Sequence, residues 1–291
     1  MDVLFQALRI SIPYVLAAMA GILSERSGVV NIALEGMLLV GAFGAVVGTL
    51  VSGSPLIGLL CGVCAGVLLA GLHALATGFF RADHIISGLA LNILAAGLTR
   101  LLLQRWYHSA SNSPRVEGLE PLLGGHSATA FLTHPMVYVT LGMIIAVRWL
   151  FRTSVLGLRI RAVGENPRAA RAAGLPARKL RSLGVLLSGI PAGLGGVWLA
   201  FDQHQFTDGM SGGRGYIALA AMISGRWNPS LAVPACFLFG AAEALQIFVQ
   251  SGPGIIPVQL VQLLPYVLTI VTLCGFFGHA RAPAALGRPL D

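Results

Sequence analysis

Asn31, Glu35, Asn92, Glu243 and Gln246 are amide or carboxyl side chains set within long apolar runs. At membrane depth such groups are costly and usually face a bundle interior or a wet path. Counted along a helix starting near Asn31, Glu35 lies about 6 Å in, where the positive end of the helix dipole favours an anion. Glu243 lies about 20 Å along a helix starting near Ser230, and Gln246 follows one turn later on the same face. Asn92 falls near the middle of the fourth apolar run. These groups exchange hydrogen bonds and break no covalent bond, so the chemistry they fit is passage of an uncharged, hydrogen-bonding solute. They would equally tie helices together by interhelical hydrogen bonds, and both readings stand at this level.

No other residues group as catalytic or metal-binding residues do. His73, His84, His108, His126, His134, His204 and His279 lack the i, i+3 or i, i+4 spacing of a metal site. No Ser/His/Asp or paired-carboxylate arrangement points to an enzyme. Cys61 and Cys64 form a CxxC without a second pair or a His cluster, and with Cys236 and Cys274 they sit in apolar runs. They read as small packing residues, and no metal is expected.

The elements that must position the polar groups are membrane helices. Charged residues make up 10% of the chain and hydrophobic ones 56%, with mean hydropathy +0.80, where an ordinary soluble domain has about a quarter charged. The 291 residues accommodate eight or nine crossings at about 20 residues each. The expected class is all-α and polytopic, a single transmembrane domain over residues 1–291; the roughly ten-residue alternation of a membrane barrel is absent. Apolar runs fall at 3–23, 32–51, 56–79, 84–104 and 132–152, then at 182–200, 215–225, 230–250 and 257–278. The first is expected to be a permanent span rather than a cleaved leader, since no basic segment precedes it.

Between the two blocks lies a polar segment, residues 153–181, holding Arg159, Arg161, Arg168, Arg171, Arg178, Lys179 and Arg181 against one acid, Glu165. Such an excess marks the cytoplasmic side. Its middle predicts a short helix about two turns long, roughly 10 Å. Asn166 can cap it, Pro167 suits the first position, Gly174 the residue after the last turn, and Pro176 prevents continuation. Ala169, Ala170, Ala172 and Ala173 leave a low surface for a soluble partner, while Arg168 and Arg171 share an edge. Attraction to anionic lipid, about 1 kcal/mol per charge, is the competing use of these cations.

Five crossings before this segment put the amino terminus outside. Arg26, Arg81, Arg148, Arg152, the seven cations of the segment, Arg226, Arg281 and Arg288 then lie inside, and Arg9, Arg100, Arg105, Arg115 and Arg214 outside or at the outer edge. The bias fits the positive-inside rule and leaves the net charge of +8 needing no nucleic-acid partner. Residues 105–131 form the extracytoplasmic loop, a place to meet a protein outside. The run 215–225 is short: eleven residues give about 16 Å of helix against a hydrocarbon core of roughly 30 Å. It is counted as the eighth of nine crossings, by tilt, earlier start or half-helix. Polar breaks at 24–31 and 224–230 occupy like positions, each turning a chain at the cytoplasmic edge, as in two halves of like orientation. The 37 glycines favour close helix packing.

At SERSGVVNIALEGMLLVGAF (24–43) the sequence resembles the permease subunits of bacterial nucleoside ATP-binding-cassette (ABC) importers, within the family of ribose and branched-chain amino-acid permeases. HIISGLALNILAAGLT (84–99), AVGENPRAARAAGLPARKLR (162–181) and IALAAMISGRWNPSLAVPACFLFGAAEALQ (217–246) agree, in the family's order. The resemblance implies a type II-like importer permease in the inner membrane, carrying a nucleoside, paired with a second permease subunit. A cytoplasmic ATPase with two nucleotide-binding domains would supply ATP and magnesium, and a substrate-binding lipoprotein would deliver cargo. No GxxxxGK[ST] occurs here, so no cofactor is expected on this chain. It further implies that Gly164, Glu165, Asn166, Pro167, Ala169, Ala170 and Gly174 form the coupling segment that meets the ATPase. A pentose or branched-chain amino acid as cargo, or an ion-coupled transporter with Glu243 relaying protons, are the alternatives.

Overall fold

A computed structural model describes residues 2–121, 131–250, 263–271 and 281–288. Its helices are α1 (Asp2–Glu25), α2 (Leu34–Ser52), α3 (Pro55–Gly78), α4 (His84–Tyr107), α5 (Pro135–Thr153), α6 (Val155–Glu165), α7 (Pro167–Ala172), α8 (Ala177–Gln203), α9 (Arg214–Ser224), α10 (Pro229–Gln250) and α11 (Leu264–Val271). Among the described residues seven helices, α1 to α5, α8 and α10, are long and apolar enough to cross a membrane. The chain is a multi-pass membrane protein.

Three of these helices form the centre. The apolar windows of α1, α2 and α8 are 61, 72 and 78% buried, against 28, 33, 22 and 33% for α3, α4, α5 and α10. The outer four turn Leu60, Leu68, Ile93, Leu101, Ile145 and Phe248 outward, as lipid-facing helices do. Apolar burial therefore does not hold the centre together as it would in water; close packing does. A Cβ on Gly41 would stand 2.8 Å from the Gly193 carbonyl, one on Gly66 2.6 Å from the Gly189 carbonyl, and one on Gly196 2.1 Å from the Leu38 carbonyl. Glycine lets α2, α3 and α8 touch backbone to backbone.

Of the three forms expected for the run 215–225, the structure holds the half-helix. α9 has eleven residues, about 16 Å of helix, too short to span alone. The chain comes back from the far end of α8 by a left-handed turn at His204 (φ 54) and an extended stretch whose Ser113 N to Phe206 O and Asp208 N to Ser111 O bonds run beside the outer loop. Turns through 209–213 then deliver it to α9. A non-helical piece and a half-helix together make the return. Residues 281–288 lie beside the basic segment, where Ala285 N donates to Gly164 O at 3.0 Å. The run 257–278 falls largely outside the described residues, which retain only α11 from it.

The 153–181 segment is also more ordered than a polar loop. α6 occupies its first part, capped by Ser154, whose side chain accepts from Gly157 N at 2.9 Å. Ile160 and Val163 are buried while Val155 and Leu158 are exposed, an amphipathic helix at the bundle's edge.

Candidate functional site

A cleft of about 1470 Å³ opens at the end of the bundle that carries the start of α1 and the end of α8. Its lining includes Phe5, Phe131, Trp198 and Phe201, the amides of Gln6 and Gln203, and the charged Arg214 and Glu243. Arg9 and Asp202 pair at the rim and fasten α1 to α8. The His134 ring stands edge-on to Trp198 at 5.0 Å, and its Nδ1 accepts from Met136 N at 3.2 Å. Burial holds this imidazole below the ordinary histidine range, against the pull of Asp202.

Glu243 does reach the cleft, and it arrives paired. Arg214 Nη2 donates to Glu243 Oε1 at 2.7 Å, and Tyr14 Oη donates to the other oxygen at 2.5 Å. The side chains of Arg214 and Glu243 are 21 and 19% exposed, enough to be wetted from the cleft while excluded from bulk. Arg214 was expected at the outer edge; it belongs to the interior, because a cation opening a half-helix needs an acid nearby and α10 supplies one. Opposite charges inside two neighbouring apolar runs were the available signal. Gln246, one turn beyond Glu243, is partly buried and is not among the cleft-lining residues.

Glu35 anchors the same half-helix by its backbone. Gly213 N donates to Glu35 Oε1 and Gly215 N to Oε2, each at 2.7 Å. The carboxylate thus satisfies amides that the first turn of any helix leaves open, and its charge opposes the positive end of the dipole. Gly215 is required there: a Cβ would lie 2.5 Å from Glu35 N.

Asn92 repairs the start of α2. Gly36 N donates to Asn92 Oδ1 at 2.8 Å, and Asn92 Nδ2 donates to Ile32 O at 3.0 Å and to Tyr216 Oη at 2.9 Å. The amide thereby stands in for the missing bond from residue 36 to residue 32, as broken membrane helices require. Asn31 is fully buried and donates to Ser188 Oγ at 3.0 Å. Of the expected polar set, Glu35 and Asn92 meet around α9, Asn31 braces α8, and Glu243 alone faces the cleft.

The two polar breaks meet each other. Trp227 Nε1 donates to Glu25 Oε2 at 2.6 Å, and Arg26 Nε donates to Trp227 O at 3.0 Å. Arg226 and Trp227 both hold φ of 54°, a conformation that costs non-glycine residues about 1–3 kcal/mol each. The bond to buried Glu25 holds that turn in place.

In the basic segment the capped helix has the expected form. Asn166 Oδ1 accepts from Ala169 N at 3.0 Å, Pro167 opens α7, and Gly174 at φ +79 follows a last turn closed by Leu175 N to Ala170 O at 2.9 Å. Glu165, Asn166, Ala169 and Gly174 are exposed and Pro167 partly so. Ala170 is 5% exposed and packs into the core. Gly164 is also inward, with a hypothetical Cβ 2.1 Å from Arg26 O. A docking partner would therefore touch the first group and not these two.

Residues 3–273 match the family described as branched-chain amino acid transport system / permease component. The chain is 40% identical over 295 residues to the guanosine ABC transporter permease protein NupQ of Bacillus subtilis, covering 95% of this chain and 92% of that one. It is 38% identical over 299 residues, at 95 and 92% coverage, to the nucleoside ABC transporter permease protein NupC of Lactococcus lactis. A putative glucose ABC transporter permease protein of Haloferax volcanii, TsgC13, is 36% identical over 251 residues, 81% of this chain and 74% of that one.

Proposed function

The chain belongs to the permease components of the branched-chain amino acid transport system family, and on that footing we propose that it carries nucleosides across the cell membrane as one half of an ATP-driven importer. The observation that carries the cargo reading is the aromatic cleft lined also by Arg214 and Glu243. Phe5 and Phe131, the partly exposed rings of its wall, can stack on a nucleobase without regard to its identity, and the Arg214–Glu243 pair offers a donor and an acceptor to base or ribose. The guanosine and nucleoside permeases among its relatives favour the same cargo.

The remaining parts of the machine follow from the cytoplasmic surface and the resemblance. A second permease subunit completes the passage, and a lipoprotein hands cargo to the open cleft. A cytoplasmic ATPase with two nucleotide-binding domains binds ATP and magnesium and grips the exposed edge of α7 and its flanks, at Glu165, Asn166, Pro167, Ala169 and Gly174. A sugar is the second reading, favoured by the Haloferax relative's printed name, since hexoses also stack on aromatic rings.

The experiment is uptake by proteoliposomes holding the complete complex. ATP-dependent accumulation of labelled guanosine or adenosine, unaffected by excess glucose or leucine, is expected. Accumulation of glucose or leucine in place of nucleosides, or nucleoside uptake by this chain without an ATPase, overturns the proposal.

A further inference from the structure

The carboxy-terminal residues 281–288 bond to three separate pieces of the end of the bundle that carries the basic segment. Ala284 N donates to Glu165 Oε2 at 3.2 Å and Ala285 N to Gly164 O at 3.0 Å, which ties the tail to the end of α6. Gly287 N donates to Gly28 O at 3.1 Å, in the break between α1 and α2. Arg181, in α8, spans the tail from behind, donating from Nη1 to Arg288 O at 2.6 Å and from Nη2 to Ala285 O at 3.2 Å.

Arg181 was expected among the cations of a surface loop. It is 3% exposed, and its Nε has no hydrogen-bond partner among the described residues. A buried guanidinium held by carbonyl oxygens is a costly way to fill space, and an apolar side chain of similar volume would stabilise the fold at least as well. What the arginine adds is a planar fork that holds two carbonyls at a fixed separation. The surroundings leave no slack: Gly28 has φ +97, and a Cβ on it would stand 2.9 Å from Arg181 Nη2. Ala285 is buried.

We propose that the tail, gripped by Arg181, is the rod that transmits displacement of the coupling segment to the break at 26–33. It rests on the reading of α7 as the ATPase contact. Movement of α7 pulls on Glu165 and Gly164 next to it; Gly164 already packs on Arg26 at the start of the break, and the tail carries the pull in parallel to Gly28; the chain from Gly28 leads to Glu35, which holds the start of α9. Arg181 is a positioning residue in this scheme and touches no cargo.

The test compares, in the purified complex with its ATPase, a chain ended after Arg281, full-length Arg181→Lys, and Ala169→Arg on the exposed edge of α7. Attached ATPase, ATP hydrolysis, cargo import and melting temperature are measured on each preparation. Lysine keeps the charge and loses the fork. Both tail variants are expected to keep the ATPase attached and hydrolysing while cargo imported per ATP falls at least about fivefold, the lower end of allosteric coupling. For Arg181→Lys this is expected at an unchanged melting temperature. An unchanged import per ATP in both variants overturns the rod. Loss of attached ATPase from Arg181→Lys also overturns it, assigning the tail to docking. Failure of the underlying reading has a separate signature: Ala169→Arg then leaves attachment and import intact.

Discussion

Arg214 and Glu243 face each other at 2.7 Å in the lining of the cleft, while the amides flanking Arg214 hold Glu35. One residue therefore joins two acids from opposite parts of the sequence, by its side chain to one and by its neighbouring backbone to the other.

Breaking that pair leaves a charge unpaired in a mostly buried place, which costs about 3–5 kcal/mol in fully buried pairs and less here, where both side chains keep some exposure. Glu243→Gln and Arg214→Gln are each expected to lower the melting temperature of the complex and to cut uptake about tenfold or more. The double variant is expected to melt above either single one, because no lone charge remains. Thermal melts and initial uptake rates provide the check, and wild-type uptake by Glu243→Gln removes the pair from the path.

Asn92 should behave as a backbone substitute. Asn92→Leu strands Gly36 N and Ile32 O, at about 1–3 kcal/mol for each unsatisfied group. Asn92→Gln keeps the chemistry but lengthens the reach. Both are expected to destabilise, Leu more than Gln. Equal melting temperatures for Asn92→Leu and wild type would contradict the repair role.

Gly215→Ala presses a methyl against the Glu35 backbone, and overpacking of this kind costs about 1–3 kcal/mol. Gly97→Ala is the matched control, since nothing lies within 4 Å of a Cβ there. The first is expected to lose uptake and thermal stability and the second to keep both. Detergent-solubilised melts separate them.

Trp227→Phe removes the donor to buried Glu25 and frees a turn with two left-handed residues. A loss of about 1–3 kcal/mol is expected for the stranded carboxylate. Glu25→Gln, which retains an acceptor, is expected to lose less. Limited proteolysis at residues 225–228 reports the loosened turn directly.

Ala169→Arg and Gly164→Arg should part company. Ala169 is on the exposed edge of α7, so a bulky cation there is expected to reduce attached ATPase without shifting the melting temperature. Gly164→Arg collides with the Arg26 carbonyl and is expected to unfold this end of the bundle whatever its effect on docking. The ratio of ATPase to permease after purification, set beside the melt, distinguishes them.

The long helices were legible because apolar runs of membrane length leave few alternatives: the runs 3–23 and 84–104 became Asp2–Glu25 and His84–Tyr107. The α7 cap was legible because Asn166, Pro167 and Gly174 each act on their own neighbours. What escaped was determined at long range. Arg181 and Arg214 carry the same charge as the surface arginines beside them, and their burial depends on carbonyls and a carboxylate over 25 residues away. The amides of Asn31 and Asn92 were visible as costly groups at depth, yet nothing local revealed that Asn31 bonds Ser188 of α8 and Asn92 the open backbone at the start of α2. α6 escaped because the exposed Arg159 and Arg161, set among its apolar residues in sequence, made the stretch read as a polar loop although Ile160 and Val163 form a buried face.

The half-helix α9 bears on how the protein is made. A segment of eleven residues is too brief for the insertion machinery to release into lipid alone, where about 20 apolar residues are wanted. Glu35 on α2 precedes it, but the partner of its Arg214, Glu243 on α10, is synthesised after it. Biogenesis of this chain is therefore not a simple march from first helix to last: one piece arrives early from the ribosome and settles late.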